Sequence, residues 1–112
     1  MTRIQTLPQL ENADDPQVSA YLDAHPELVT VLNEAVGELR KDFPEERFRL
    51  DVDHDMEDEE GTPYLALSIL SAGKPDDVRE AYKRFFFRWY SDYPHRQSVG
   101  NKLVFRRRYV SI

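Results

Sequence analysis

The hydrophobic period of this chain switches three times, and that switching constrains the fold more than any other feature. Leu28, Val29, Leu32, Ala35, Val36, Leu39 and Phe43 recur at steps of three and four, which predicts an amphipathic helix over 26–42. Past Phe43-Pro44 the period becomes two. Phe48, Leu50, Val52 and Met56 then point one way and Arg49, Asp51, Asp53 and Asp55 the other, as in a strand near 48–56 with one wet face. The charged turn EDEEG at 57–61 separates it from a second strand, YLALSIL, near 63–70. Two strands so connected make an antiparallel hairpin.

The helical period returns after Gly73. Pro75, with Asp76 and Asp77 in the first turn, opens a helix over 76–92 whose inner stripe is Val78, Ala81, Tyr82, Phe85, Trp89 and Tyr93. After Gly100-Asn101 the alternation resumes in a third strand, 102–110. Leu103, Phe105 and Tyr109 share its apolar face, with Arg107 the exception there, and Lys102, Arg106 and Arg108 share the other. Near the start, Asp15 reads as an N-cap and Pro16 as the first residue of a short helix carrying Val18, Tyr21 and Leu22. It stops before Pro26, because the residue preceding a proline disfavours the helical region. Residues 1–14 are polar, broken by Pro8, and read as a mobile N-terminal arm.

A hairpin needs a third strand or a covering helix to be stable. The expected fold is therefore α+β: a three-stranded, mainly antiparallel sheet covered by helices, in the order α-α-β-β-α-β. With 112 residues there is material for one core, so residues 1–112 read as a single domain.

YLDAHPEL at 21–28, followed by FPEERFRLDVDHDMEDEEGTPYLALSI at 43–69, resembles small uncharacterised prokaryotic α/β proteins. In those, a helical HPEL segment precedes an FP exit and an acidic strand pair. The resemblance spans the central half of the chain and implies no catalytic residue.

Charge is divided unevenly. Residues 1–61 hold 17 acidic and 5 basic side chains, a net of −12, and residues 62–112 hold 4 and 10, a net of +6, which together give the formal −6. Either the halves fold against each other and neutralise locally, or they form two surfaces of opposite sign. In one small domain the first is favoured. Overall acidity argues against a protein devoted to nucleic acid, although a local basic patch can still bind it.

Several chemistries are excluded or weakened. Cysteine is absent, so there are no disulfides, thiol nucleophiles or cysteine-containing metal sites. DVDHDMEDEEGT at 51–62 imitates the opening of a calcium loop, but such a loop needs Gly at position six and Glu at position twelve, and here those are Met56 and Thr62. His54 points opposite Asp53 and Asp55 on a strand, and His25 and His95 lie far off in sequence. There is no GxSxG elbow, and Gly73-Lys74 lacks the phosphate-loop spacing. No cofactor is expected, and a non-enzymatic protein is the favoured reading. No apolar run approaches the roughly 20 residues that cross a bilayer, and the first residues lack the apolar core of a secretory signal. A cytoplasmic protein without membrane partners is expected.

Two surfaces remain. On a helical wheel Phe87 lies nearly opposite the Val78–Phe85–Trp89 stripe, with Phe86 and Tyr90 at the border and Lys83 beside them. Interfaces are enriched in aromatic residues and Arg, so Lys83, Phe86, Phe87 and Tyr90 are candidates for contact with a second copy or another protein. Burial of Phe87 under a further element of the same chain is the alternative. Basic residues interleaved with aromatics also occur on nucleic-acid-binding sheets. That reading, the alternative to an interaction module, assigns RNA or DNA binding to Arg84, Arg88, Lys102, Arg106 and Arg108.

Overall fold

The computed structural model describes residues 10–57, 59–91 and 102–109. Strand β1 (Leu10–Glu11) is followed by helices α1 (Pro16–Ala24) and α2 (Glu27–Asp42), strands β2 (Arg47–His54) and β3 (Pro63–Ser71), helix α3 (Pro75–Phe85) with a π-helical turn at Phe86–Tyr90, and strand β4 (Leu103–Tyr109).

Local chemistry sets the helix ends. The Asp15 carboxylate accepts from the backbone N–H of Gln17 at 2.9 Å and of Val18 at 3.4 Å, and Pro16 occupies the first turn. Asn12, with φ at 66°, ends β1 in the left-handed region that Asn tolerates. At the far end of α2 the Arg40 guanidinium donates to the carbonyls of Phe43 at 3.0 Å and Glu46 at 2.7 Å, and lies over the Phe48 ring. One side chain thus ties the helix exit to the following strand.

The sheet corrects the expected fold class. It has four strands in the order β1-β2-β3-β4. Only β2 and β3 are antiparallel; β1 runs parallel to β2, and β4 parallel to β3. The class remains α+β, but the sheet is neither three-stranded nor mainly antiparallel, and the order begins with a strand. The reason is connectivity. A helix between two strands returns the chain to the end from which it started, so α1 with α2, and then α3, each act as a crossover between parallel neighbours.

Register divides the sheet into two faces. On one, Phe48, Leu50 and Val52 pair with Ile69, Leu67 and Leu65, and the last two neighbour Phe105 and Leu103. This face joins the helices in a single hydrophobic cluster with Val18, Leu22, Leu28, Leu32, Val36, Leu39 and Phe85. The other face carries Arg49–Ser68–Arg106 in one row and Arg47–Leu70–Arg108 in the next. Ala66 and Leu70 are buried there but stand outside the hydrophobic cluster. β2 ends at His54, where the Asp55 N–H bonds the Thr62 carbonyl. Met56 therefore belongs to the turn and is 93% exposed rather than on the inner face. Tyr93, His95, Gly100-Asn101, Val110 and the first nine residues of the arm lie outside the described residues.

Candidate functional site

Helix α3 is built to present one face inward and one outward. Val78, Ala81 and Phe85 are buried, and Arg79, Glu80, Lys83 and Arg84 are exposed. After Phe85 the helix widens: the Ser91 N–H bonds the Phe86 carbonyl at 2.7 Å, an i→i+5 closure. The wide turn keeps Trp89 stacked on Phe85, with centroids 5.5 Å apart, and brings Tyr90 edge-on to Phe105 at 5.1 Å. Both rings reach the core side, although they follow two further aromatic residues.

Phe87 is left outside, 71% exposed. Its only described ring neighbour is Phe86, edge-on at 5.3 Å, and Phe86 in turn touches Tyr90 at 5.2 Å. Phe86 and Tyr90 are half-buried. A continuous aromatic path thus runs from the Phe85–Trp89 layer through Tyr90 and Phe86 to an exposed tip. Lys83 stands exposed beside it, 3.7 Å from Glu80.

The basic residues have a different fate. Arg84 lies 3.1 Å from Asp42, and Arg88 lies 2.8 Å from Asp42 and 3.3 Å from Glu38, so both clasp α3 to α2. Lys102 holds Glu27 at 2.8 Å. Arg106 reaches across β3 to Asp53 at 3.1 Å and donates to the Tyr64 hydroxyl. Four of the five cations considered for nucleic acid thus bind carboxylates of the acidic first half. Arg108 is exposed, and no carboxylate contacts it among the described residues.

Two further arginines, Arg47 and Arg49, share the open face with Arg106 and Arg108 around a hollow of about 700 Å³. They hold Glu11 and Asp51. The alternation of β2 placed Arg49 on the wet face, but its approach to Arg106 depends on a strand order that the sequence does not state. The remaining polar candidates stay apart. His25 packs on Tyr21 at 4.5 Å and lies 3.7 Å from Glu27, and His54 is exposed at the end of β2. No three His, Asp or Glu side chains converge among the described residues.

The ion pairs make stability sensitive to acid. Lys41, with Arg88, holds the Glu38 carboxyl below its ordinary 4.5, and Lys102 does the same for Glu27. Arg47 lowers Glu11. The His54 backbone N–H, with Arg106, lowers Asp53 from its ordinary 3.8. A carboxyl depressed in the folded state stabilises above its unfolded pKa, and that contribution is lost as pH falls through the folded value. The urea midpoint should stay flat between about pH 7 and 5 and then drop below about pH 4.5. Added salt should lower the plateau slightly, because these pairs are near the surface. A midpoint unchanged at about pH 3 would contradict the pairing.

No family model, curated protein or solved structure matches the chain. No helix among the described residues is long and apolar enough to cross a membrane.

Proposed function

We propose that this chain is a non-enzymatic interaction module of the cytoplasm, needing no cofactor, that self-associates through the outer face of the π turn. This reading groups it with the small prokaryotic α/β proteins that its HPEL and FP segments resemble. The observation that carries it is Phe87, 71% exposed at the tip of a half-buried aromatic path. Large contiguous apolar surface is seldom left bare on a monomer. A second copy suits the patch because its rim carries both signs, in Glu80 and Lys83. Around a two-fold axis such a rim complements itself.

Nucleic-acid binding is the weaker reading, because Arg84, Arg88, Lys102 and Arg106 are occupied by carboxylates. Burying a Phe side chain contributes about 1.5–3 kcal/mol, so Phe87 from two copies supplies roughly 3–6. The entropy of association opposes this. Phe86 and Tyr90 add area, but the gain exceeds that cost only narrowly, so association through this patch is weak and the dimer populates at high protein concentration.

The test is light scattering with far-ultraviolet circular dichroism on the wild type and Phe87→Glu. The wild type should be dimeric at high concentration. The variant should be monomeric with an unchanged spectrum, because a carboxylate is costly to desolvate at an interface and costs little on a free surface. A wild type that stays monomeric at high concentration rejects the reading. So does a monomer that binds RNA and loses that binding in the variant.

A further inference from the structure

The two edges of the sheet are finished differently. On the β1 side, β1 covers Phe48 and Arg49, and the Asn12 side-chain amide donates to the Leu50 carbonyl at 2.9 Å and to Asp51 at 3.1 Å. Backbone pairing there ends at Arg49, and the Asn12 amide takes the next carbonyl of β2. On the other side β4 is paired only with β3 among the described residues. Its register fixes which groups are free. Leu65 is opposite Leu103, and the Leu65 N–H bonds the Lys102 carbonyl at 2.8 Å. In a parallel ladder this turns the backbone groups of Lys102, Val104 and Arg106 toward β3, and those of Leu103, Phe105 and Arg107 outward.

Two arginines on this edge differ from the other described arginines. Every other described arginine contacts a carboxylate or a backbone carbonyl. Arg107 stacks over the Tyr82 ring at 5.1 Å, and neither it nor Arg108 meets a carboxylate among the described residues. Successive strand residues point to opposite faces, so Arg107 and Arg108 straddle the free edge. Beside the beginning of β4, Tyr64, Tyr82, Tyr90, Val104 and Phe105 line a pocket of about 380 Å³, with Asp55 also on its wall, so the side chain that enters it is apolar and not acidic. Val104 is 36% exposed there.

We infer that the outer edge of β4, unpaired among the described residues, is a docking strand for an acidic peptide in extended conformation, added as a fifth strand with one apolar side chain in the Tyr82–Tyr90 pocket. Backbone pairing to an open edge supplies affinity, and pockets for alternate side chains supply specificity. Charge disfavours the simplest competitor: pairing β4 with its own copy in a register centred on Arg106 to Arg108 sets arginines opposite arginines, which is destabilising. An acidic strand instead meets Arg107 on one face and Arg108 on the other. At about 3.3 Å per residue, the acidic position falls three or four residues from the apolar one.

The test uses fluorescence anisotropy with a fluorescein-labelled valine-rich peptide carrying one phenylalanine and, three and four residues to either side of it, a pair of adjacent glutamates, one for each face. Three comparison probes are the same sequence with lysine for glutamate, the acidic sequence N-methylated on alternate backbone amides, and a single-stranded oligothymidylate. The acidic peptide should bind and the lysine peptide should not. Arg108→Glu, an exposed change that breaks no described contact, should weaken binding about tenfold. N-methylation in the register that faces β4 should abolish it. No acidic-peptide binding, equal binding of both N-methylated registers, or tighter binding of the oligonucleotide would each overturn the inference. Because Tyr90 borders both this pocket and the aromatic patch, the titration is repeated on Phe87→Ser. Affinity within about twofold of wild type keeps the two sites separate. Loss of binding there would place the peptide on the patch and overturn the edge site.

Discussion

Phe85→Ala should destabilise the protein by about 3–5 kcal/mol, the cost of emptying a large buried aromatic site. A small domain has roughly 5–15 kcal/mol in total, so much of the fold's margin would be gone. Phe85 is fully buried. Its ring stacks on Trp89 at 5.5 Å and meets Phe105 edge-on at 5.4 Å. It is where α3, the π turn and β4 meet, so the cavity left by truncation has walls on three elements that cannot collapse together. Two residues later the same chemistry has a different consequence. Phe87→Ala removes an exposed ring and should change the stability of the monomer by no more than about 0.5 kcal/mol. Urea melts at low protein concentration, where association does not contribute, read both. Equal losses for the two variants would mean that Phe87 is held by contacts of its own chain, and the self-association reading would fall with it.

That contrast was only half legible in the sequence, which leaves open whether another element of the chain covers Phe87. The wheel set Phe87 opposite Phe85 and Trp89, and the structure leaves it outside. The π turn was not legible, because its i→i+5 closure depends on how Trp89 and Tyr90 pack against Phe105, a residue in another element. Element positions followed from period because period is local. Within α2, Val31 is buried and Val29 only half-buried, although the spacing had named Val29. The apolar stripe is wider than one strict row of contacts, and packing chooses within it.

What failed was pairing. Leu10–Glu11 is a two-residue strand whose existence depends on Phe48 and Arg49 lying beside it. No window of the sequence contains both partners. The place of β4 is not set by any local window of the sequence for the same reason. Its basic residues would have faced Asp51, Asp53 and Asp55 directly had it lain beside β2. It lies beside β3 instead, and Arg106 reaches Asp53 across the intervening strand, past Tyr64. The charge split predicted that the halves would neutralise each other, but not which residues would meet. By composition alone, Arg84 and Arg88 suit contact with an external polyanion. Their true partners sit at the end of α2, about one turn apart at Glu38 and Asp42.

Asp42→Lys should therefore be among the most damaging charge substitutions in the molecule. The Asp42 side chain is only 7% exposed, and two guanidinium groups contact it, Arg84 at 3.1 Å and Arg88 at 2.8 Å. An acidic side chain at a helix C-terminus is opposed by the helix dipole, so its position is justified by those cations alone. Removing one partner of a buried ion pair costs about 3–5 kcal/mol. Both arginines are more exposed than Asp42, and Arg88 keeps Glu38, so simple truncation to Ala should fall at or below the low end of that range. A lysine adds repulsion between three cations around one semi-buried point and should reach the full 3–5 kcal/mol. The combined variant Asp42→Lys with Arg88→Glu restores one opposite pair. It should recover at least about 1 kcal/mol relative to the sum of the single changes, the coupling expected for residues in contact. Urea denaturation of the four proteins in this cycle gives that coupling directly. Additive losses would show that Arg88 and Asp42 do not sense each other in solution. The clasp between α2 and α3, and with it the case that the basic half is neutralised from within, would then fail.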